Sequence, residues 1–154
     1  MRQSPAAASA VRFSERLWPS VGGWLLAPGL GVAIGLILLP LGSLLAAVGA
    51  LATAAAAVAG LAATSPVVEV AHGRLRAGRA QVPLELVGTA TAAAGEEARQ
   101  ERGPRLDARA YLCIRGWVDP VVRVELTDPQ DPTPYWLVST RRPDQLVAAL
   151  AGHS

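Results

Sequence analysis

The side chains best suited to binding or chemistry gather near the end of the chain, in Thr127-Asp128-Pro129-Gln130-Asp131-Pro132-Thr133-Pro134-Tyr135-Trp136 and in Ser139-Thr140-Arg141-Arg142-Pro143. Two carboxylates three residues apart, beside a phenol and an indole, can recognise a cationic or hydroxyl-bearing partner. They can equally brace a hairpin loop, because Asp side chains bond nearby backbone N–H groups and proline fixes φ. Both readings of Asp128, Asp131, Tyr135 and Trp136 stay open. A hard cation takes about six to eight oxygens, so two aspartates alone do not make a metal site. Arg141 and Arg142 precede a helix opened by Pro143, where N–H groups and guanidinium groups suit an anion. Plain capping with solvated arginines is the alternative there. These six residues form the candidate binding set, with no catalytic residue, metal or cofactor assigned.

Other chemistry is thinly represented. His72 and His153 have no second ligand at useful spacing, and no Gly-rich phosphate loop, nucleophile elbow or Cys/His pair occurs. The single cysteine, Cys113, lies in the apolar run Ala110-Tyr111-Leu112-Cys113-Ile114 and reads as a small buried hydrophobe. It also excludes an internal disulfide framework. All 14 basic residues are arginine, and the net charge is +2. Three arginines and one acid precede residue 17, leaving 11 arginines against 11 acids in the part after residue 68. A neutral polar part argues against nucleic acid as a partner.

The elements that must position these residues start from a stretch with no charge at all. Residues 17–68 contain no Arg, Lys, Asp or Glu, whereas one bilayer crossing needs about 20 apolar residues. Two crossings fit, at residues 21–39 and 41–63, reversed at Pro40-Leu41-Gly42. A cleaved signal peptide is the weaker reading, since its apolar region runs only ~7–15 residues. The second span is mostly alanine, and Ala27, Gly31 and Gly35 in the first form a small-residue stripe that suits close helix packing. Packing within the hairpin is preferred over homodimerisation. Trp18 and Trp24 suit the interfacial belt. Arg12 and Arg16 precede the spans and Arg74, Arg76 and Arg79 follow them, so both termini are expected in the cytoplasm, beside the inner membrane. Residues 1–16 are expected as a disordered basic leader.

After Pro66 the pattern changes to short alternating runs. Strands are expected at residues 67–70, 74–77, 80–82, 84–90, 111–114, 121–126 and 135–140, with His72-Gly73 and Gly78 at turns. Residues 95–105 read as a solvated loop or one helical turn. Residues 144–151 form a helix behind Pro143, with Leu146, Val147 and Leu150 on one face to cap an open sheet end. The domains are thus a leader over 1–16, a transmembrane hairpin over 17–65, a cytoplasmic β-domain over 66–151 and a tail over 152–154.

The run DPQDPTPYWLVSTRRPDQL resembles the signature of an uncharacterised family of actinobacterial membrane proteins. ERLW at residues 15–18, GRLRAGRAQVPL at 73–84 and RAYLCIRGWV at 109–118 are similar in order. The family brings no established activity, and this chain departs from it in an unusually Ala-rich second span. Strands closed by one C-terminal amphipathic helix are also similar to bacterial pleckstrin-homology-like domains. The expected fold is therefore a membrane α-helical hairpin plus a small α+β domain, a pleckstrin-homology-like antiparallel sheet or barrel with one C-terminal capping helix. The expected function is a membrane-anchored, non-catalytic module that binds a partner protein or lipid headgroups at the bilayer surface. The alternatives are an enzyme acting on a membrane-bound substrate and a small structural subunit of a membrane complex.

Overall fold

The computed structural model describes residues 11–152. The chain forms two compact units, residues 18–65 and the remainder on either side of them. The first unit is a helical hairpin. Helix α1 (Val21–Leu38) passes through a 3-10 turn at Leu39–Leu41 into α2 (Ser43–Ala63). Pro40 sits early in that turn, and Gly42 reverses the chain at φ 136°, a conformation closed to most side chains. Pro28 lies inside α1 without ending it.

The expected small-residue stripe is the packing seam of this hairpin. A Cβ on Gly31 would stand 2.7 Å from the Ala50 carbonyl oxygen and 3.0 Å from the Ala54 Cβ. A Cβ on Gly35 would meet the Ala50 Cβ at 3.1 Å. The two helices are close enough there to exclude any larger side chain at Gly31. At the far end of α2, the Ser65 hydroxyl donates to the Leu61 carbonyl at 2.8 Å and the Thr64 hydroxyl to that of Gly60 at 2.9 Å. Trp18 and Trp24 lie with ring centroids 5.9 Å apart.

The second unit holds two four-stranded sheets. The first is β1 (Phe13–Arg16), β2 (Val67–Ala71), β3 (Arg74–Ala77) and β4 (Ala80–Pro83), in that order and antiparallel throughout. The β2–β3 turn places His72 and Gly73 at φ 52° and 71°, the geometry that matches strand twist in tight hairpins. The chain then makes a 3-10 turn at Leu84–Leu86 and continues as β5 (Val87–Ala93), α3 (Gly95–Arg102), β6 (Tyr111–Cys113), β7 (Val121–Leu126), β8 (Tyr135–Ser139) and α4 (Pro143–Ala151). The second sheet runs β5-β7-β8-β6. Its β6–β8 pair is parallel, and β5 carries a register shift between Val87 and Ala90.

Period-2 alternation explains the core. Phe13, Val68, Val70, Leu75 and Val82 from the first sheet meet Val122, Val124, Trp136 and Val138 from the second, and Leu146 and Leu150 of α4 join the same cluster. The other face of the second sheet is covered as well: Tyr135, Leu137 and Val121 pack with Ala98 of α3 and with Leu106, Ala110 and Ile114. Strand β8 is consequently buried along its whole length.

Several expectations are corrected. The leader expected as disordered over residues 1–16 contributes a strand, because Phe13 and Glu15 face inward and pair in register with Val70 and Val68; residues 1–10 lie outside the described residues, as do 153 and 154 of the tail. Residues 95–105, expected as a solvated loop or one helical turn, open with a two-turn helix anchored by buried Ala98. The strand expected at 84–90 begins three residues later and runs to Ala93. Among the described residues the strands form two separate sheets and no closed barrel, and one pairing is parallel rather than antiparallel. The α+β class and the capping C-terminal helix stand as expected.

Candidate functional site

The proline-rich segment between β7 and β8 folds as a self-bonded loop. The Asp128 carboxylate accepts the Gln130 N–H at 2.9 Å, and the Asp131 carboxylate accepts the Thr133 N–H at 2.9 Å. These are the short-range turn bonds expected of aspartate. The backbone N–H of Thr133, and then its hydroxyl, hold the Asp131 carboxyl below its usual range. Thr127 N–H donates to the Leu86 carbonyl at 2.8 Å, and Leu126 N–H to that of Pro134 at 3.1 Å, pinning both ends of the loop. Asp128 and Asp131 thus hold the loop's own backbone.

For Tyr135 and Trp136 the bracing and the recognition readings are both open in the sequence, and the structure places both side chains inside the fold. Tyr135 is 2% exposed and Trp136 5% exposed. They point to opposite faces of β8, as alternation requires. Tyr135 receives the Asp107 N–H on its hydroxyl at 2.8 Å and lies 3.8 Å beneath the Arg123 guanidinium. Trp136 packs on Tyr111 with centroids 4.8 Å apart, and the Tyr111 hydroxyl donates to the Ala77 carbonyl of the first sheet. Both aromatic rings are core, since strand β8 is central and covered on both faces.

The arginine pair has an internal partner that the sequence reading missed. Thr140 donates its hydroxyl to the Glu15 carboxylate, and the Arg141 N–H donates to the same group at 3.1 Å. The Arg141 guanidinium stands 3.9 Å away from it. Arg142 donates to the Ser14 carbonyl at 2.7 Å and sits over the Phe13 ring, 4.9 Å from its centroid. Glu15, 8% exposed, therefore fills the place before α4 that suited an external anion. ERLW and STRRP, far apart in sequence, supply the two halves of one interaction. The detectable signal was Glu15 itself, the lone acid among the arginines of the leader, with Phe13 two residues before it on an alternating run.

A second charged network lies beside α3. Glu101 bridges Arg123 at 3.2 Å and Arg105 at 3.5 Å. Asp119 accepts the Gly95 N–H at 2.8 Å and the Arg102 guanidinium at 2.9 Å, and these bonds hold its carboxyl below the usual range. Asp107 is lowered to about 2, first by the Arg109 side chain and then by the Arg109 N–H. Cys113 is buried, and burial pushes its thiol up. Among the described residues no group of three His, Cys, Asp or Glu side chains is placed to hold a metal ion. The candidate set therefore does not converge on one site: Asp128 and Asp131 brace a loop, Tyr135 and Trp136 fill the core, and Arg141 and Arg142 tie β1 to α4.

The feature without an internal partner is the outer surface of the hairpin. Both of its helical stretches, residues 21–41 and Ser43–Ala63, are long and apolar enough to cross a membrane. Leu25, Leu26, Leu36, Ile37, Leu44 and Leu51 are each about two-thirds exposed or more. No curated protein and no solved structure matches this chain. A family model does match, over residues 12–150, which takes in β1, the hairpin and everything through α4, and the chain belongs to that family, the proteins of unknown function DUF3093.

Proposed function

We propose that this protein is an integral inner-membrane module whose hairpin crosses the bilayer twice and whose β-unit works at the cytoplasmic surface, binding a partner protein or lipid headgroups without catalysis. The observation that carries the reading is the hairpin's uncovered apolar surface. Fourteen large aliphatic side chains between Val21 and Val58 are exposed. They are 40–78% exposed, and fully burying one such side chain is worth ~1.5–3 kcal/mol, so leaving this surface in water forgoes roughly 13–26 kcal/mol. A domain is stable by only about 5–15 kcal/mol. Lipid removes that conflict. Helix α2 has 21 residues, about 31 Å at 1.5 Å per residue, against a hydrocarbon core of ~30 Å.

Strand pairing supports the two-crossing arrangement. Arg16 pairs with Val67, so the chain leaves and re-enters the first sheet at one point. The hairpin is inserted into what would otherwise be the β1–β2 connection, and both of its ends belong on one side of the bilayer. Arginines at 12, 16, 74, 76 and 79 and none between 17 and 73 favour the cytoplasmic side. The non-catalytic part of the reading is supported by the engagement of the candidate polar groups in the fold itself.

Extraction from native membranes tests this. The chain should stay with the bilayer after an alkaline carbonate wash and leave it only in detergent. Release by carbonate alone would refute the anchor. Mild-detergent purification then sorts the binding readings, with a stoichiometric protein or bound lipid as the supporting results. A pure chain that turns over a membrane-bound substrate would replace the non-catalytic reading with an enzymatic one.

A further inference from the structure

The outward face of the first sheet is basic. Alternation turns Phe13, Val68, Val70, Leu75 and Val82 into the core and sends Arg16, Arg74, Arg76 and Gln81 outward. Arg16, Arg74, Arg76 and Arg79 are exposed, and Glu69 is the acid among them, half-buried and paired in register with Ser14 and Arg76. Four guanidinium groups against one carboxylate leave this face at about +3, while the other ten arginines of the chain stand against eleven acids.

The positions along the strands matter as much as the sign. Gly78 donates its N–H to the Val67 carbonyl at 2.9 Å, so the β3–β4 turn carrying Arg79 lies level with the start of β2. Arg16, paired with Val67, is at the same end. That end is where the chain passes to and from the hairpin. From Ala63 to Val67 is four residues, and from Arg16 to Val21 five; fully extended they reach at most about 14 Å and 18 Å. The headgroup layer is roughly 5–7 Å deep on each side, and the field beyond it decays over ~8 Å at physiological salt. Even at full extension the shorter tether leaves Arg16 and Arg79 at the edge of that field, with Arg76 two residues farther along the strands.

We propose that this face, led by Arg16, Arg76 and Arg79, docks on anionic phospholipid headgroups and holds the β-unit against the membrane. The inference rests on the membrane-anchored reading. Guanidinium groups suit phosphate because their planar donors bind two oxygens together. A zwitterionic surface offers the same phosphates without the net field, so the discriminating variable is net lipid charge. Each arginine near an anionic surface strengthens association about fivefold.

The test uses the full chain in lipid nanodiscs of phosphatidylcholine alone or mixed with phosphatidylglycerol. Gln81→Cys, exposed beside Arg76, reports the face, and Ala94→Cys at the start of α3 serves as the control; buried Cys113 stays in place. Labelling by an uncharged maleimide should slow at least about fivefold at position 81 in the anionic discs. The control should not change. High salt, or the triple variant Arg16→Gln, Arg76→Gln, Arg79→Gln, should restore the rate. Equal rates at position 81 in both lipids, or slowing that survives the triple variant, would overturn the proposal. Failure of the chain to enter neutral discs would instead refute the anchor, so the two failures are distinct.

Discussion

The hairpin and the β-unit are both rich in aliphatic side chains, yet they orient them in opposite ways. In the β-unit, Val68, Val70, Leu75, Val122 and Val124 are fully buried, and Glu15 is the one charged side chain buried with them among the described residues. In the hairpin, the residues of α1 and α2 that are buried are Ala27, Gly31 and Ala46, while Leu25, Leu26, Leu36, Leu44 and Leu51 are exposed. Water explains the first arrangement, where burying large side chains is the main driving force. It gives no reason for the second. Close packing of small residues with large ones outward is how helices associate when the solvent is itself apolar. On the membrane-anchored reading proposed above, one short chain carries two solvents' rules, and β1 precedes the hairpin but completes the sheet after it.

The strongest way to break this comparison is to separate the halves. Replacing residues 18–65 with a short turn between β1 and β2 should yield a soluble protein with a cooperative melt. Starting the chain at Ser65 instead removes Phe13 and Leu17 from the core, each worth ~2–5 kcal/mol. That version should melt far lower or fail to fold. Equal melting of the two would show that β1 is dispensable.

Single substitutions should respect the same division. Trp136→Ala should destabilise the β-unit by ~3–5 kcal/mol, read as a lowered Tm in detergent. Gly31→Leu should open the hairpin to protease in membranes while the β-unit keeps its melt. A shift in the β-unit from Gly31→Leu would mean that the two regions are not independent. Glu15→Ala leaves Thr140 and the Arg141 N–H without their acceptor, at a cost of ~1.5–3 kcal/mol in urea unfolding. Threonine at 140 replaced by valine should lose less, because a charged group keeps its other donors.

Acid provides a smaller, reversible probe. Asp107, Asp119 and Asp131 all have carboxyls held below the usual 3.8, with Asp107 at about 2. The folded state then binds fewer protons than the unfolded state, so the stabilisation is complete above pH ~4 and is lost as pH falls toward 2. A β-unit whose Tm is flat across that window would contradict these bonds. The smallest effect is expected from Asp128→Asn with Asp131→Asn, since Asn makes similar local bonds. A loss of more than ~1 kcal/mol would show that charge, not geometry, holds the loop.

What sequence alone revealed follows from range. Alternation of Val122 and Val124 against Arg123 and Glu125 is a local signal, and β7 lies where it predicts. The 3.6 spacing of Leu146 and Leu150 likewise marks the buried face of α4. Strand β1 offers only Phe13 and Glu15, and its partner is about 50 residues away across the hairpin. Helix α3 reads GEEARQER, with Ala98 as its buried side chain, too little for an apolar stripe to appear. Parallel pairing of β6 with β8 depends on which strand fills the sheet's centre, which no local pattern encodes. The two readings of the candidate binding residues are inseparable in the sequence for a related reason. Polar and aromatic side chains that brace a fold have the same composition as those that recognise a partner, and only burial separates Tyr135 and Trp136 from a binding surface.

The central claim is a hairpin that crosses the bilayer twice with the β-unit inside the cell. Labelling of single cysteines in intact cells by a membrane-impermeant maleimide tests it directly, with Leu41→Cys at the hairpin turn and Ala94→Cys on the β-unit. Leu41→Cys should label in intact cells, and Ala94→Cys only after lysis. Labelling of Ala94→Cys in intact cells, or protection of Leu41→Cys until lysis, would contradict the account.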